Sequence, residues 1–121
     1  LWSRWIADHR YADHAAGLPG NDDAGTLSAW YILTAAGLFP IAGTDTYLVG
    51  SPRFNRVTLH LAAGDLVIDA PAAGPDAIYV DQLHLDGAAI AAPRLRHAQL
   101  ASGGLLRFDM TQKPGDWGRS E

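Results

Sequence analysis

From Thr26 to Ala36 the chain has almost no polar face. Leu27, Ala29, Trp30, Tyr31, Ile32, Leu33, Ala35 and Ala36 cover nearly every side of a helix. A helix that is apolar all round is buried on all sides. A small independent domain cannot surround a helix in that way, so this one is expected inside a larger helical assembly. Gly37 is placed to end it, because glycine adopts the left-handed conformation of a helix C-terminus without strain, and Pro40 bars continuation. Upstream, Trp2, Trp5, Ile6 and His9 fall at helical spacing and predict a first helix already under way at Leu1. Arg4, Asp8 and Arg10 lie off that stripe. Tyr11 to Gly20 loses the period and ends in Gly17-Leu18-Pro19-Gly20, a loop.

From Thr46 onward the period changes to two. Val57, Leu59 and Leu61 alternate with Thr58 and His60, and Leu66 and Ile68 alternate with Val67 and Asp69. Ala62-Ala63-Gly64-Asp65 joins these runs as a tight hairpin. Ile78 and Val80 open another strand that Leu83 and Leu85 continue, and Asp86-Gly87 is a strong hairpin-turn dipeptide. Leu106, Phe108 and Met110 share one face of a last strand. Pro71 to Asp76 reads as a loop, and Pro93 to Ser102 as room for one helical turn. The expected class is α+β: helices in residues 1–43, then an antiparallel β-region in 44–121.

The chain has 121 residues and a formal charge of −4, which argues against a nucleic-acid surface, since that needs clustered Lys and Arg. It has no cysteine, which excludes disulfides, thiolate nucleophiles and thiolate metal sites. No apolar run approaches the roughly 20 residues of a membrane span. The first residue is not Met, and the expectation is a segment of a longer polypeptide whose remainder is its main partner.

The chemistry concentrates at Gly20-Asn21-Asp22-Asp23, just before the apolar helix. Two adjacent carboxylates stand where free backbone N–H groups and partial positive charge keep an anion ionised. Such a carboxylate can activate water, as the base of an inverting glycosidase does. A divalent cation would help hold both charged, with Asn21 adding an oxygen ligand of the kind calcium prefers. Trp30 and Tyr31 offer an aromatic wall for a sugar ring if they line the cavity. The competing reading is plain: Asp before a helix is very often its cap, and Trp30 and Tyr31 are core aromatics by default. Other groups are weaker candidates. His9, Asp13 and His14 lie close in sequence but straddle a helix end. His60 and His84 sit on the polar phase of strands. Ser28 and Ser51 lack a nucleophile-elbow context.

The run Gly17-Leu18-Pro19-Gly20-Asn21-Asp22-Asp23-Ala24-Gly25-Thr26-Leu27-Ser28-Ala29-Trp30-Tyr31 resembles the signature of glycoside hydrolase family 92, the calcium-dependent exo-acting α-mannosidases. The likeness continues through Ala36-Gly37-Leu38-Phe39-Pro40 and through Tyr47-Leu48-Val49-Gly50-Ser51-Pro52-Arg53-Phe54. It closes at Met110, Lys113-Pro114 and Trp117-Gly118. The resemblance implies an inverting enzyme with an N-terminal β-sandwich and an (α/α)6 catalytic barrel, whose terminal helices this chain supplies. It implies Asp23 as general base and Asp22 as its support. Asn21 would stand in the same polar wall, near the sugar and the calcium ion, which contacts sugar hydroxyls and helps distort the ring. The implied substrate is terminal α-linked mannose on a glycan, with α-1,2 linkage expected. The implied location is periplasmic, cell-surface or secreted.

The family's general acid is a glutamate well upstream of this motif. The only glutamate here is Glu121, at the far end, so this chain is expected to hold one half of the acid–base pair and to be inactive and marginally stable alone. The alternative is a non-catalytic carbohydrate-binding or packing module built on the strands from Tyr47 to Met110, although their aromatics are few (Tyr47, Phe54, Tyr79 and Phe108) and form no stripe on one face. Another helical-barrel glycosidase or phosphorylase is a third reading, disfavoured by the motif loop.

Overall fold

The computed structural model describes residues 2–119; Leu1 and Glu121, which carried two of the expectations above, lie outside the described residues. The order is helix α1 (Trp2–His9), helix α2 (Thr26–Ala35), strands β1 (Leu38–Pro40), β2 (Thr46–Val49), β3 (Arg56–Leu61), β4 (Gly64–Asp69), β5 (Tyr79–Leu85), β6 (Ala88–Ala89) and β7 (Arg94–Arg96), the short helix α3 (His97–Leu100) and strand β8 (Gly104–Thr111). A three-residue turn, Asp23–Gly25, leads into α2. The class is α+β, as the change of period predicts.

The strands form two sheets, β1-β2-β7 and β3-β4-β8-β5-β6. The larger sheet is not purely antiparallel as expected: β4 and β8 run parallel, joined by a crossover that includes β5, β6, β7 and α3. Alternation within a strand says which face is buried but not which strand lies alongside, so the parallel pair is invisible to it. Register aligns the apolar phases. Val57, Ile68, Leu106 and Leu85 form one row across four strands, and Phe108 stands opposite Leu83. On the other face the row is Arg56, Asp69, Arg107 and His84, with Arg107 bonded to Asp69 at 2.6 Å. Leu38 and Leu95 of the smaller sheet join Leu66, Ile68, Leu83, Leu106 and Phe108 in one buried cluster. Asp86 and Gly87 both take positive φ, 50° and 85°, in the two-residue turn that the dipeptide predicts.

Two strands lie where none was expected. Leu38–Pro40 pairs with β2, so the boundary expected at residues 43 and 44 falls in the turn joining β1 to β2. Arg94–Arg96 pairs with β2 on its other side, and the helical turn expected within Pro93–Ser102 is confined to His97–Leu100.

The helices meet the sheets through the C-terminal end of α2. The Ala35 carbonyl accepts from the Arg53 N–H at 2.8 Å, and the Gly37 carbonyl accepts from the Gly50 N–H at 2.8 Å. Ile32 and Thr34 carbonyls accept from Ala36 and Gly37, so three of the last four carbonyls of this helix have partners. Helix α1 docks through its polar side. Arg4 donates to Ser51 Oγ and to the carbonyls of Pro52 and Gly74, and Asp8 pairs with Arg53. Burial pushes the Arg4 pKa down, and Asp8 pushes it back up. The aromatic stripe of α1 points away from this chain: Trp2 is 74% exposed, and Trp5 stacks on His9 at the surface. Helix α2 is likewise open, with Ile32 61% exposed and Ala35 its only buried residue. The described residues supply neighbours on part of its surface only, and the burial expected of it belongs to a larger helical assembly.

Gly37 has φ 89°, and a Cβ there would lie 3.1 Å from Pro52 Cδ and 3.3 Å from Phe108 Cζ. Gly37→Ala is therefore expected to destabilise the protein by about 1–3 kcal/mol, from left-handed strain plus crowding of a packed joint. Chemical denaturation measures it, and an unchanged midpoint would contradict the close approach.

Candidate active site

The loop before α2 is closed by one side chain. Asp22 Oδ1 accepts from the backbone N–H groups of Leu27 (2.7 Å) and Ser28 (3.0 Å), and Asp22 Oδ2 accepts from the Ser28 hydroxyl (2.5 Å). Asp22 thus does what a helix cap does, from four positions upstream of the first helical residue. The Ser28 hydroxyl, then the Ser28 N–H, hold its carboxyl below the usual carboxylate range; burial opposes them and the Leu27 N–H adds to them. Its backbone carbonyl also accepts from Gly25 N–H at 3.0 Å.

The three residues between Asp22 and the helix bulge outward. Ala24 (φ 54°, ψ 27°) and Gly25 (φ 75°, ψ 15°) are both left-handed. The excursion is pinned on its far side by Thr26, whose hydroxyl and N–H both donate to the Asp23 carbonyl. Asp23 stands on this excursion, exposed. Among the described residues no hydrogen bond or ion pair engages its carboxylate, in contrast to its neighbour. Asn21, also exposed, has no side-chain hydrogen bond among the described residues.

The aromatics are arranged differently from the expected wall. Tyr11 stacks on Trp30 (ring centroids 5.5 Å, planes 17° apart), leans on Tyr31 at 5.0 Å, and donates its hydroxyl to the Leu27 carbonyl at 3.2 Å. Burial, then the Asp22 charge, push the Tyr11 hydroxyl pKa up. Tyr31 lines an open cleft of about 540 Å³ with Asp8, Tyr11, Asp13, Ser28 and Arg53. Trp30 lines a separate one of about 200 Å³ beside Leu38 and Leu48. Adjacent helical positions point in different directions, so one cleft does not take both rings.

The other candidates do not converge. His9 Nδ1 lies 2.9 Å from the Trp5 carbonyl and His14 Nδ1 accepts from the Ala16 N–H, so the stretch with Asp13 forms no ligand set. Among the described residues no group of three or more His, Asp or Glu is placed to hold a metal ion. Calcium takes six to eight oxygens. Asn21 and Asp23 carry oxygens that no hydrogen bond engages among the described residues, but two residues do not make such a shell. Among the described residues the β-region shows no aromatic row: Phe108 is fully buried, Tyr47 packs against His97, Tyr79 is half-buried, and Phe54 is exposed in the loop before β3. The Ser28 hydroxyl acts as a donor to Asp22 and not as a nucleophile, and Tyr11 lies in a stretch without a period, so neither contact has a local signal in the sequence.

The geometry has clear relatives. The sequence model of the glycosyl hydrolase family 92 catalytic domain matches residues 1–112. A solved family 92 α-mannosidase of Bacteroides thetaiotaomicron, in complex with mannoimidazole, superposes with a TM-score of 0.91 at 32% identity, over 98% of this chain and 16% of its own. A family 92 inverting mannosidase of the same organism superposes with a TM-score of 0.88 at 34% identity, over 98% of this chain and 17% of its own. An uncharacterized secreted glycosidase of Arthroderma benhamiae is 24% identical over 116 residues, which are 93% of this chain and 15% of that protein. The chain therefore spans about a sixth of the length of the solved relatives it matches.

The Asp22 bonds give a pH dependence of known sign. A carboxyl whose pKa is lowered by folding contributes stability that is fully present above the unfolded value, about 4, and is lost as pH falls through the lower folded value. Asp22→Asn removes that titration, so the variant's melting temperature is expected to fall less than the parent's between about pH 5 and about pH 3. Thermal melts across that range decide; parallel curves would mean that Asp22 is not held as described.

Proposed function

This chain belongs to glycosyl hydrolase family 92, and we propose that in the whole protein it supplies the general base, Asp23, of an inverting exo-acting α-mannosidase. One observation supports the assignment above the others. Of two adjacent carboxylates, Asp22 accepts three hydrogen bonds from its own helix, while none engages the Asp23 carboxylate among the described residues. A base needs a lone pair directed at water, and a carboxylate held by three donors is not free to turn one toward it.

In the proposed step, water attacks the anomeric carbon of a terminal α-mannosyl unit and Asp23 takes its proton. The bond to the leaving oxygen breaks, and an acid from elsewhere in the polypeptide protonates that oxygen. Asn21 stands beside Asp23 with its amide free for a sugar hydroxyl or a calcium ligand position. Calcium, when bound, would hold sugar hydroxyls and favour a distorted ring. Trp30, with one ring face covered by Tyr11, offers its remaining surface to a substrate. The helices are read as terminal helices of an (α/α)6 barrel, which accounts for the open faces of α1 and α2. The α-1,2 linkage rests on the family resemblance alone. The secreted description of a relative supports a location outside the cytoplasm.

In the full-length protein, Asp23→Asn is expected to lower kcat about 10²–10⁴-fold with folding intact. Hydrolysis of an α-mannoside, followed beside a circular dichroism spectrum, measures it, and an unchanged rate removes Asp23 from the mechanism. The 121-residue chain alone is expected to give no turnover, because the acid is not among its residues. Sustained hydrolysis by the purified chain would refute that.

A further inference from the structure

The excursion that carries Asp23 is costly to hold. Ala24 lies in the left-handed region at φ 54°, which a side chain disfavours. Such a residue persists only where its surroundings over-determine it. Two devices do so here: the Thr26 contacts to the Asp23 carbonyl on one side, and the Asp22 carboxylate on the other. The second depends on which way the carboxylate plane turns. Leu27 and Ser28 N–H groups both reach the same oxygen, Oδ1, so by themselves they leave the carboxylate free to pivot about it. The Ser28 hydroxyl reaches the other oxygen, Oδ2, at 2.5 Å and fixes the plane. Three points define an orientation that two points on one atom do not.

We propose that Ser28 is a positioning residue for the reaction: its hydroxyl locks the Asp22 carboxylate, which closes the loop and aims Asp23. This rests on the reading of Asp23 as general base. Ser28 is one turn into α2 and has no hydrogen bond to Asp23, so its effect passes through Asp22 and the strained pair Ala24 and Gly25. Loosening the lock leaves the sugar's contacts elsewhere unchanged and misdirects the base. A misplacement of about 1 Å is enough to cost about 10²-fold in rate.

The test uses the full-length enzyme with Ser28→Ala, Ser28→Thr, Ser28→Cys and Asp23→Asn, each checked for folding by circular dichroism. Ser28→Ala is expected to lower kcat about 10–10²-fold with KM within about twofold of the parent. Ser28→Thr keeps the hydroxyl and is expected to restore most of the rate. Ser28→Cys keeps the shape with a weaker donor and is expected to fall between them. If Ser28→Ala does not fold, the cysteine and threonine variants decide. A threonine variant as slow as the alanine or cysteine one would overturn the proposal, because the hydroxyl would then not be the cause. So would a parent-like kcat in both Ser28→Ala and Ser28→Cys with Asp23→Asn inactive, and in that case the base assignment stands. Full turnover by Asp23→Asn would remove the base reading and this proposal with it.

Discussion

Helix α2 is held at both ends by groups that lie outside it, and the rest of the structure is arranged around that fact. At its start, the Asp22 side chain takes the N–H groups that the helix leaves unpaired. At its end, the loop at residues 50–53 runs against the last carbonyls, over a glycine that lets Pro52 and Phe108 come within van der Waals reach. The first attachment shapes the loop that carries Asp23. The second ties that loop, through one rigid helix, to the buried sheet core. A base that must be placed to within a fraction of an ångström is better carried on such a frame than on a free loop.

The division between the two carboxylates follows from the same attachment. Adjacent acidic residues repel each other, and the structure separates their roles instead of pairing them. Asp22 accepts three hydrogen bonds, and these donors stabilise its charge. Asp23, lifted outward by two consecutive left-handed residues, faces solvent in this segment. The amide of Asn21 stands free beside it. One aspartate is engaged by its own helix; among the described residues the other is not.

Much of this was legible in the sequence where a period or a steric rule operates. The alternation of β3, β4 and β8 fixed their buried faces, Asp86-Gly87 announced its turn, and Gly37 its helix end. The phase of β5 even contains its irregularity: Val80 and Leu83 both turn inward although they lie three apart, and the register shifts between Val80 and Gln82. What stayed hidden depends on contacts distant in sequence. The parallel pairing of β4 with β8, the short strand Leu38–Pro40, and the Asp22-to-Ser28 bond across a six-residue interval have no local signature. The outward turn of Trp2 and Trp5 is of the same kind, since a stripe tells which residues share a face and not what that face meets. The motif singles out Asn21, Asp22 and Asp23 together, and only coordinates separate the residue that caps from the one whose carboxylate no described residue engages.

The most direct test of the account is a crystal structure of the whole polypeptide with a mannose-derived inhibitor that mimics the distorted ring. The account predicts an Asp23 carboxylate oxygen within hydrogen-bond distance of the water poised at the anomeric carbon, with Asp22 still bound to Leu27 and Ser28. A structure with Asp23 folded back onto its own backbone, or with Asp22 released from the helix and directed at that water, would contradict it.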